Sequence, residues 1–246
     1  MKSRAKILEK LAGFNEESWE KLRQAARSGD IVVHDHGYRD KFTGHAMRLG
    51  TGKSAGHIGL VAGVPSKGKS LSMIDLMPGG VRDHKLIHDA SDYGMTLLRP
   101  KNLSARQRQE AVKNALEAKK RQLVSYRDAD NIALVPSQLV KLLSRNKDSY
   151  LASQAAKFTR GLDKTKRNCP GGNCAWFVNY AYNPKNPNAG AETLGLRSSG
   201  GLYSPADFLR ASGVGGSLER VYDYKPSSTS KATKQLASKK LFSMFF

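Results

Sequence analysis

Residues 55–77 decide between two unrelated folds. Four residues in or next to this segment have the spacing of a phosphate-binding P-loop: Gly63, Gly68, Lys69 and Ser70. A P-loop requires a helix directly after Ser70, because the amides of the loop and of the helix N-terminus hold the phosphates. Here only the alternating run LSMIDLM follows before a Pro-Gly-Gly turn. The pattern therefore predicts two strands joined by GVPSKGKS, and it disfavours a nucleotide hydrolase.

This hairpin would bring a histidine and a carboxylate together. If the turn is centred near Ser66, His57 on the first strand lies opposite Asp75 on the second. A carboxylate that faces an imidazole on one side of a sheet fixes the tautomer of the imidazole and stabilises its charged form. An error of one residue in this register would move Asp75 to the other face.

The two cysteines are too few for a disulfide framework. Cys169 and Cys174 are separated by four residues, which leaves three interpretations: a redox pair, half of a metal site, or one reactive thiol with a neighbour. Cys174 follows the glycine-rich loop CPGGN and begins an apolar helix, CAWFVNYAY, that Pro184 stops. The dipole and the free amides of a helix start favour a nucleophile, with Asn173 as the cap. A small buried structural cysteine is the alternative.

Further elements surround these two motifs. GDIVV and MTLLRP are predicted strands. Ser104 and Gln107 form a capping box that begins a long basic helix. The apolar stripe of this helix is expected at three positions: Val112, Leu116 and Leu123. Residues 137–145 and 149–162 are predicted helices, as is SPADFLRAS, with Ser204 as its cap and Pro205 in first position.

The chain is expected to form one main domain with an extension at each end. Residues 1–28 are predicted to be a helical N-terminal extension, residues 29–224 the main domain, and residues 225–246 a flexible tail. The tail contains five lysines, no acidic residue and an apolar end. That end could contact a partner or a membrane surface.

The net charge of +20 favours anionic partners: nucleic acid, anionic lipid headgroups or an acidic cell-wall polymer. Charge alone does not choose among them. The N-terminal segment has no continuous apolar run and no small-residue cleavage site, so no signal peptide is predicted. We therefore expect synthesis in the cytoplasm, and any export would use a route without a cleaved leader.

Two further histidine pairs are candidate metal ligands. His34 and His36 alternate at the end of a strand, with Asp35 between them, but exposed side chains near the mouth of a site explain them better. His84 and His88 are four residues apart and could share a helix face, but the sequence shows no third ligand. We therefore predict no metal site and no cofactor.

Four segments in this order resemble the circularly permuted NlpC/P60 branch of papain-like cysteine hydrolases: GDIVV, GHIGLVAG, MIDLMPGGV and NCAWFVNYAY. Lecithin:retinol acyltransferase-like proteins belong to the same branch, in which the histidine strand precedes the cysteine helix. SPADFLRAS is similar to a late element of some permuted members. The motifs cover residues 29–81 and 168–212, whereas the middle helices match only in kind.

The resemblance implies an α+β fold in which an antiparallel sheet packs on a central cysteine-bearing helix, with extra helices. Cys174 would be the nucleophile, His57 the general base and Asp75 the orienting group of a catalytic domain. Three neighbours would contact substrate: Gly56, Asn173 and Trp176. Acyltransferase-like members carry a second histidine where Asp75 stands, and Glu-His instead of Ala-Trp after the cysteine. Both departures favour a bacterial-type hydrolase.

Three functional hypotheses follow. The first is a hydrolase that cleaves an amide through a thioester, with peptidoglycan stem peptides as the substrate. Export without a leader would make it an antibacterial effector, and an immunity protein would then be a partner. The second is a thiol hydrolase or acyltransferase that acts on lipids or acyl-proteins at an anionic membrane. The third is a non-enzymatic basic binding module, for which nucleic acid is the less favoured partner.

Overall fold

The computed structural model describes residues 14–35, 55–63, 70–90, 93–127, 170–196 and 202–227. Several predicted features lie outside these residues: the start of the N-terminal extension, His36, the turn around Ser66, the helices at 137–145 and 149–162, Cys169 and the tail beyond residue 227.

Six strands of the described residues form one antiparallel sheet. They are β1 Ile31–Asp35, β2 Ala55–Gly63, β3 Ser72–Met77, β4 Gly80–Lys85, β5 Gly94–Pro100 and, last in the chain, β8 Leu218–Tyr224. Their order across the sheet is β4-β3-β2-β1-β5-β8, with every neighbouring pair antiparallel. Two short strands, β6 Ser125–Tyr126 and β7 Gly171–Gly172, pair in parallel elsewhere. The prediction that β2 and β3 are paired strands is confirmed.

Six helices lie within the described residues. They are α1 Glu16–Ala25, α2 Ile87–Ala90, α3 Ala105–Arg121, α4 Cys174–Tyr182, α5 Pro187–Thr193 and α6 Pro205–Ala211. The α+β class and the antiparallel sheet are therefore confirmed. None of the helices in this part of the chain combines the length and the apolar character that a membrane crossing requires.

The helix starts follow the predicted local signals. Ser104 and Gln107 make both hydrogen bonds of a capping box at the start of α3, and Ser204 caps α6 with Pro205 in first position. The predicted apolar stripe of α3 is wrong in part, because Leu116 is 41% exposed. Leu123, beyond the end of the helix, is also exposed. The buried side of α3 is instead small: Ala111, Val112, Ala115 and Ala118.

Two apolar clusters hold the sheet, and they use alternate residues of its strands. One joins β1–β3 to α4 and α6 through Ile31, Ile58, Ile74, Phe177 and Phe208. The other joins the sheet to α1, where Trp19 packs edge-on against Tyr224 with ring centroids 6.2 Å apart. The part of the predicted N-terminal extension that forms α1 thus contributes Trp19 and Leu22 to the core.

Candidate active site

The cysteine lies at the first position of α4. Asn173 caps this helix, because its Oδ1 accepts a hydrogen bond from the amide of Trp176 at 2.9 Å. The Nδ2 of Asn173 donates to the carbonyl of Tyr203 at 2.9 Å, which ties the loop before the helix to the chain before α6. Seven of the nine helix residues are buried, Cys174 among them, and its thiol is free. The sulfur is therefore held in a fixed place at the edge of the core.

The hairpin brings His57 and Asp75 into contact, although the predicted register is wrong. Leu60 pairs with Ile74, so the ladder places Asp75 opposite Gly59 rather than opposite His57. The error is two residues, which preserves the face of the sheet. The two side chains meet diagonally, with Nε2 of His57 2.7 Å from Oδ2 of Asp75. A Cβ atom at position 59 would lie 3.0 Å from the Cβ of Asp75. Glycine at this position therefore leaves space for the side chain of Asp75.

Arg82 fixes the carboxylate from the other side. It lies directly opposite Asp75 in the β3–β4 ladder. Its Nε donates to Oδ1 of Asp75 at 2.8 Å, and its Nη2 donates to Oδ2 at 2.9 Å. Asp75 is completely buried, whereas the side chain of Arg82 is 46% exposed. Both carboxylate oxygens are thus occupied by a planar guanidinium, which fixes the orientation of the group that holds His57.

The imidazole of His57 also hydrogen bonds with the thiol of Cys174. Because Asp75 holds Nε2, Nδ1 is the ring nitrogen that this contact leaves available. Burial by itself would lower the pKa of His57, which is 7% exposed. The charge that Cys174 can carry, together with hydrogen bonds to Asp75 and Cys174, outweighs burial and raises the pKa of His57 to about 10. The imidazole of His57 therefore holds its proton more strongly than an ordinary histidine does.

The orienting carboxylate stays ionised. Burial alone would raise the pKa of Asp75, but hydrogen bonds from His57 and Arg82 lower it to about 2. At neutral pH the imidazole of His57 is then positive and the carboxylate of Asp75 is negative. This arrangement stores the proton that an acyl-transfer reaction must deliver to its leaving group.

The three residues expected to contact substrate have different surroundings. Gly56 is the extra residue of a β-bulge, since His57 pairs with His34 while Ala55 pairs with Asp35. Trp176 is partly exposed and stacks on Tyr180 with ring centroids 5.4 Å apart. The side chain of Asn173 is buried and bonded inside the protein at both its oxygen and its nitrogen, which is the role of a structural cap.

Sequence reasoning missed a neighbour of the site and misplaced another histidine. His34, expected to be exposed, is 2% exposed and packs edge-on against His57 with ring centroids 5.8 Å apart. His84 lies on β4 and not on a helix shared with His88, and its Nε2 is 2.8 Å from Oδ2 of Asp89. Within the described residues, no group of three or more His, Cys, Asp or Glu side chains is arranged to hold a metal ion.

The chain matches no family model, and a comparison with curated proteins also finds no match. The assignment of a function therefore depends on the geometry of this site and on its chemistry.

Proposed function

We propose that the protein is a papain-like cysteine hydrolase that cleaves an amide bond, with peptidoglycan stem peptides as its substrate. The observation that carries the proposal is the hydrogen-bonded chain Cys174–His57–Asp75, with its thiol at the start of a buried helix. A nucleophile, a base within hydrogen-bond reach and a third group that orients the base together constitute the geometry of covalent acyl transfer.

The reaction would run in two steps. His57 takes the proton of the Cys174 thiol, and Sγ attacks the carbonyl carbon of the amide. The carbon–nitrogen bond breaks as His57 gives its proton to the leaving amine, and a thioester forms. In the second step His57 takes a proton from water, and the resulting hydroxide attacks the thioester. The carbon–sulfur bond breaks, the acid leaves, and His57 returns its proton to the sulfur.

The start of α4 would stabilise the oxyanion of each tetrahedral intermediate. The amide of Trp176 is used by the cap and that of Phe177 by the carbonyl of Asn173. Among the described residues, the amides of Cys174 and Ala175 have no acceptor. These two donors point along the helix dipole, where negative charge is stabilised.

The substrate class is supported by charge and by resemblance. A protein with a net charge of +20 binds an anionic wall polymer through long-range attraction. The permuted NlpC/P60-like motifs are similar to those of bacterial members that act on stem peptides. An acid at position 75, held by Arg82, and Ala175-Trp176 after the cysteine are departures from the acyltransferase-like pattern that favour hydrolysis.

The direct test is digestion of purified sacculi, with the soluble products identified by mass. We expect cleavage by the wild-type protein and a loss of at least about a thousandfold in Cys174→Ala and in His57→Ala, because nucleophile and base act as one unit. His84→Ala is the matched control, since His84 also pairs with a carboxylate but lies on β4. Cleavage that survives in Cys174→Ala would contradict the proposal.

Reactivity of the thiol gives a second, substrate-independent test. At about pH 6 an ordinary thiol, with a pKa of about 8.5, is almost entirely protonated and reacts slowly with iodoacetamide. We expect Cys174 to be alkylated first, and His57→Ala to remove this preference. Equal, slow alkylation of Cys169 and Cys174 would instead favour a non-enzymatic binding module.

One observation favours the hydrolysis of lipid or acyl-protein substrates as a second candidate. Leu116 and Leu123 are 41% and 37% exposed, and Lys113, one helical turn before Leu116, is also exposed. Exposed apolar and basic side chains together are the composition of a surface that binds anionic membranes. Release of fatty acid from vesicles that contain phosphatidylglycerol would support this candidate. Such release should fall in Leu116→Asp, whereas digestion of sacculi should not change.

A further inference from the structure

A groove of about 760 Å³ lies near the start of the cysteine helix in the chain, although Cys174, His57 and Asp75 are not among the described residues that line it. Its walls are the β3–β4 turn at residues 78–81, the C-terminal end of α3 and residues 124–126 of the β6 region. The volume lies within the range of about 300–1,000 Å³ that small-ligand pockets occupy. The groove is therefore large enough to hold several bonds of a substrate on one side of the bond that is cleaved.

Residues in two walls of the groove are close in the sequence to residues of the site. Tyr126 pairs with Gly172 in the β6–β7 ladder, and Cys174 begins α4 two residues later. On the other wall, Pro78 follows Asp75 by three residues of extended chain, about 10 Å at the rise of a β-strand. The groove is thus joined through β7 and β3 to the elements that carry Cys174 and Asp75.

The residues that line the groove differ in charge and polarity. Lys119 is the one charged side chain among the described residues that line the groove, and Gln122 supplies an amide next to it. Gly79 and Gly80 have positive φ values of 120° and 108°, and a Cβ at either would meet nothing within 4 Å. The turn therefore presents bare backbone to the groove, which lets another peptide backbone approach closely.

Gln122 occupies a backbone conformation that favours glycine. Its φ is 53° at the left-handed end of α3, the position where helices most often end in glycine. Glycine there would relieve strain but would remove the amide side chain from the groove. Residues kept in such conformations concentrate at ligand-binding sites, where the side chain has a use that offsets the strain.

We propose that this groove binds the part of a stem peptide next to the scissile bond, and that it selects a segment with a carboxylate. Lys119 pairs with the carboxylate, Gln122 hydrogen bonds with a peptide group, and Gly79-Gly80 admits the backbone. This inference rests on the proposed hydrolase function and adds the residues that recognise its substrate.

The test is calorimetric titration of soluble muropeptides, released from sacculi by a muramidase, into the non-cleaving Cys174→Ala protein. Added to this background, Lys119→Met and Gln122→Gly should each raise Kd about tenfold, the scale of a hydrogen bond to a charged or strongly polar group. Gln122→Gly should also leave the thermal unfolding midpoint unchanged or raised, which a purely structural role would not allow. Lys120→Met, at the neighbouring exposed lysine outside the lining, is the control and should bind as its parent does.

Two results would contradict the assignment of the groove as the binding site, and they have different consequences for the proposed hydrolase function. If Cys174→Ala binds muropeptides and the two groove variants bind as tightly, the groove is not the binding site, while the hydrolase proposal stands. If Cys174→Ala binds no muropeptide although Cys174 of the wild type reacts selectively with iodoacetamide, the ligand class is wrong, and so is the peptidoglycan substrate.

Discussion

Two buried aspartates, Asp30 and Asp75, are held by arginine in nearly the same way. Both are completely buried. Nε of Arg99 donates to Oδ1 of Asp30 at 2.8 Å, and its Nη2 donates to Oδ2 at 2.6 Å. Arg82 makes the same two-pronged contact with Asp75, at 2.8 and 2.9 Å. Judged by burial and charge alone, the two sites would be equivalent.

The two aspartates differ in the third group that each one contacts. Asp30 accepts a hydrogen bond from the backbone amide of Arg27 at 2.7 Å, and Arg99 also donates to the carbonyl of Ala25. That pair therefore ties the end of α1 to β1 and β5. Asp75 instead bonds with an imidazole that can gain and lose a proton. A buried Asp–Arg pair is thus weak evidence for a site, and the ionisable ring beside it is what makes Asp75 a candidate.

The largest expected effect is on stability at the structural pair. Asp30→Asn should lower the free energy of unfolding by about 3–5 kcal/mol, because it leaves Arg99 with a poor partner in a buried place. Chemical denaturation measures this loss. Alkylation of Cys174 at about pH 6 should keep its wild-type rate in the molecules that remain folded. If Asp30→Asn instead slowed the alkylation of Cys174 and left the stability unchanged, the roles assigned to the two Asp–Arg pairs would be reversed.

Asp75→Asn should reduce activity strongly and stability only moderately. Hydrolysis should fall about a hundredfold, or about 2.7 kcal/mol in the barrier, because His57 loses the charge that orients it and stabilises its protonated form. The loss of stability should be smaller than in Asp30→Asn, since the half-exposed Arg82 can be solvated where it stands. Rates from digestion of sacculi, set beside denaturation curves of both variants, test the comparison. Equal activity in Asp75→Asn and wild type would remove Asp75 from the mechanism.

The dependence of stability on pH should reflect the ionisation of both Asp75 and His57. The pKa of Asp75 is lowered from its ordinary 3.8 to about 2, so its contribution is present above about pH 4 and is lost as pH falls toward 2, about 2 kcal/mol in all. The pKa of His57 is raised from 6.5 to about 10, so its contribution is present below about pH 6 and is lost as pH rises through 10.

Denaturation at a series of pH values measures these slopes. Asp75→Asn should flatten the acid limb, and Cys174→Ala should move the alkaline limb to lower pH, because the raising effect of the sulfur on the pKa of His57 is lost. An alkaline limb that stays in place in Cys174→Ala would show that the thiol does not act on His57.

The smallest effect is expected at Arg82. Arg82→Gln should cost about 1 kcal/mol of stability, since Asp75 keeps His57 as a cationic partner and Arg82 is half exposed. Arg99→Gln should cost more, because Asp30 has no second cation among the described residues. Arg82→Gln should also raise the pKa of His57 further, since a positive neighbour is removed, and NMR titration of the imidazole would detect this. A lowered pKa would contradict the electrostatic role of Arg82.

Local sequence signals predicted the elements that carry the site. The alternation of LSMIDLM identified β3, and the glycine-rich loop before an apolar run located Cys174 at the start of α4. The contact of His57 with Asp75 was anticipated even though the register was wrong. The shift was two residues and therefore kept the face, whereas a shift of one would have separated the side chains.

The neighbours of the site depend on strand order, which local patterns do not determine. His34 lies beside His57 only because β1 and β2 are adjacent, although residues far apart in the sequence form them. Arg82 could have been found, since the tight Pro78-Gly79 connection makes Met77 and Gly80 a pair and so brings Arg82 opposite Asp75. The misjudged leucine at position 116 shows that small residues, and not only large ones, can form the contact face of a helix.

The bond from Asn173 to the carbonyl of Tyr203 has a consequence for how the protein is made. A ribosome adds residue 174 well before residue 203, so the nascent chain carries the thiol before it carries the acceptor that steadies the thiol's loop. Strand β8, which pairs with β5 at the sheet edge, emerges later still. The loop that holds Cys174 is therefore fixed only after residue 203 has been made, and a polypeptide interrupted before that residue would contain Cys174, His57 and Asp75 without this contact.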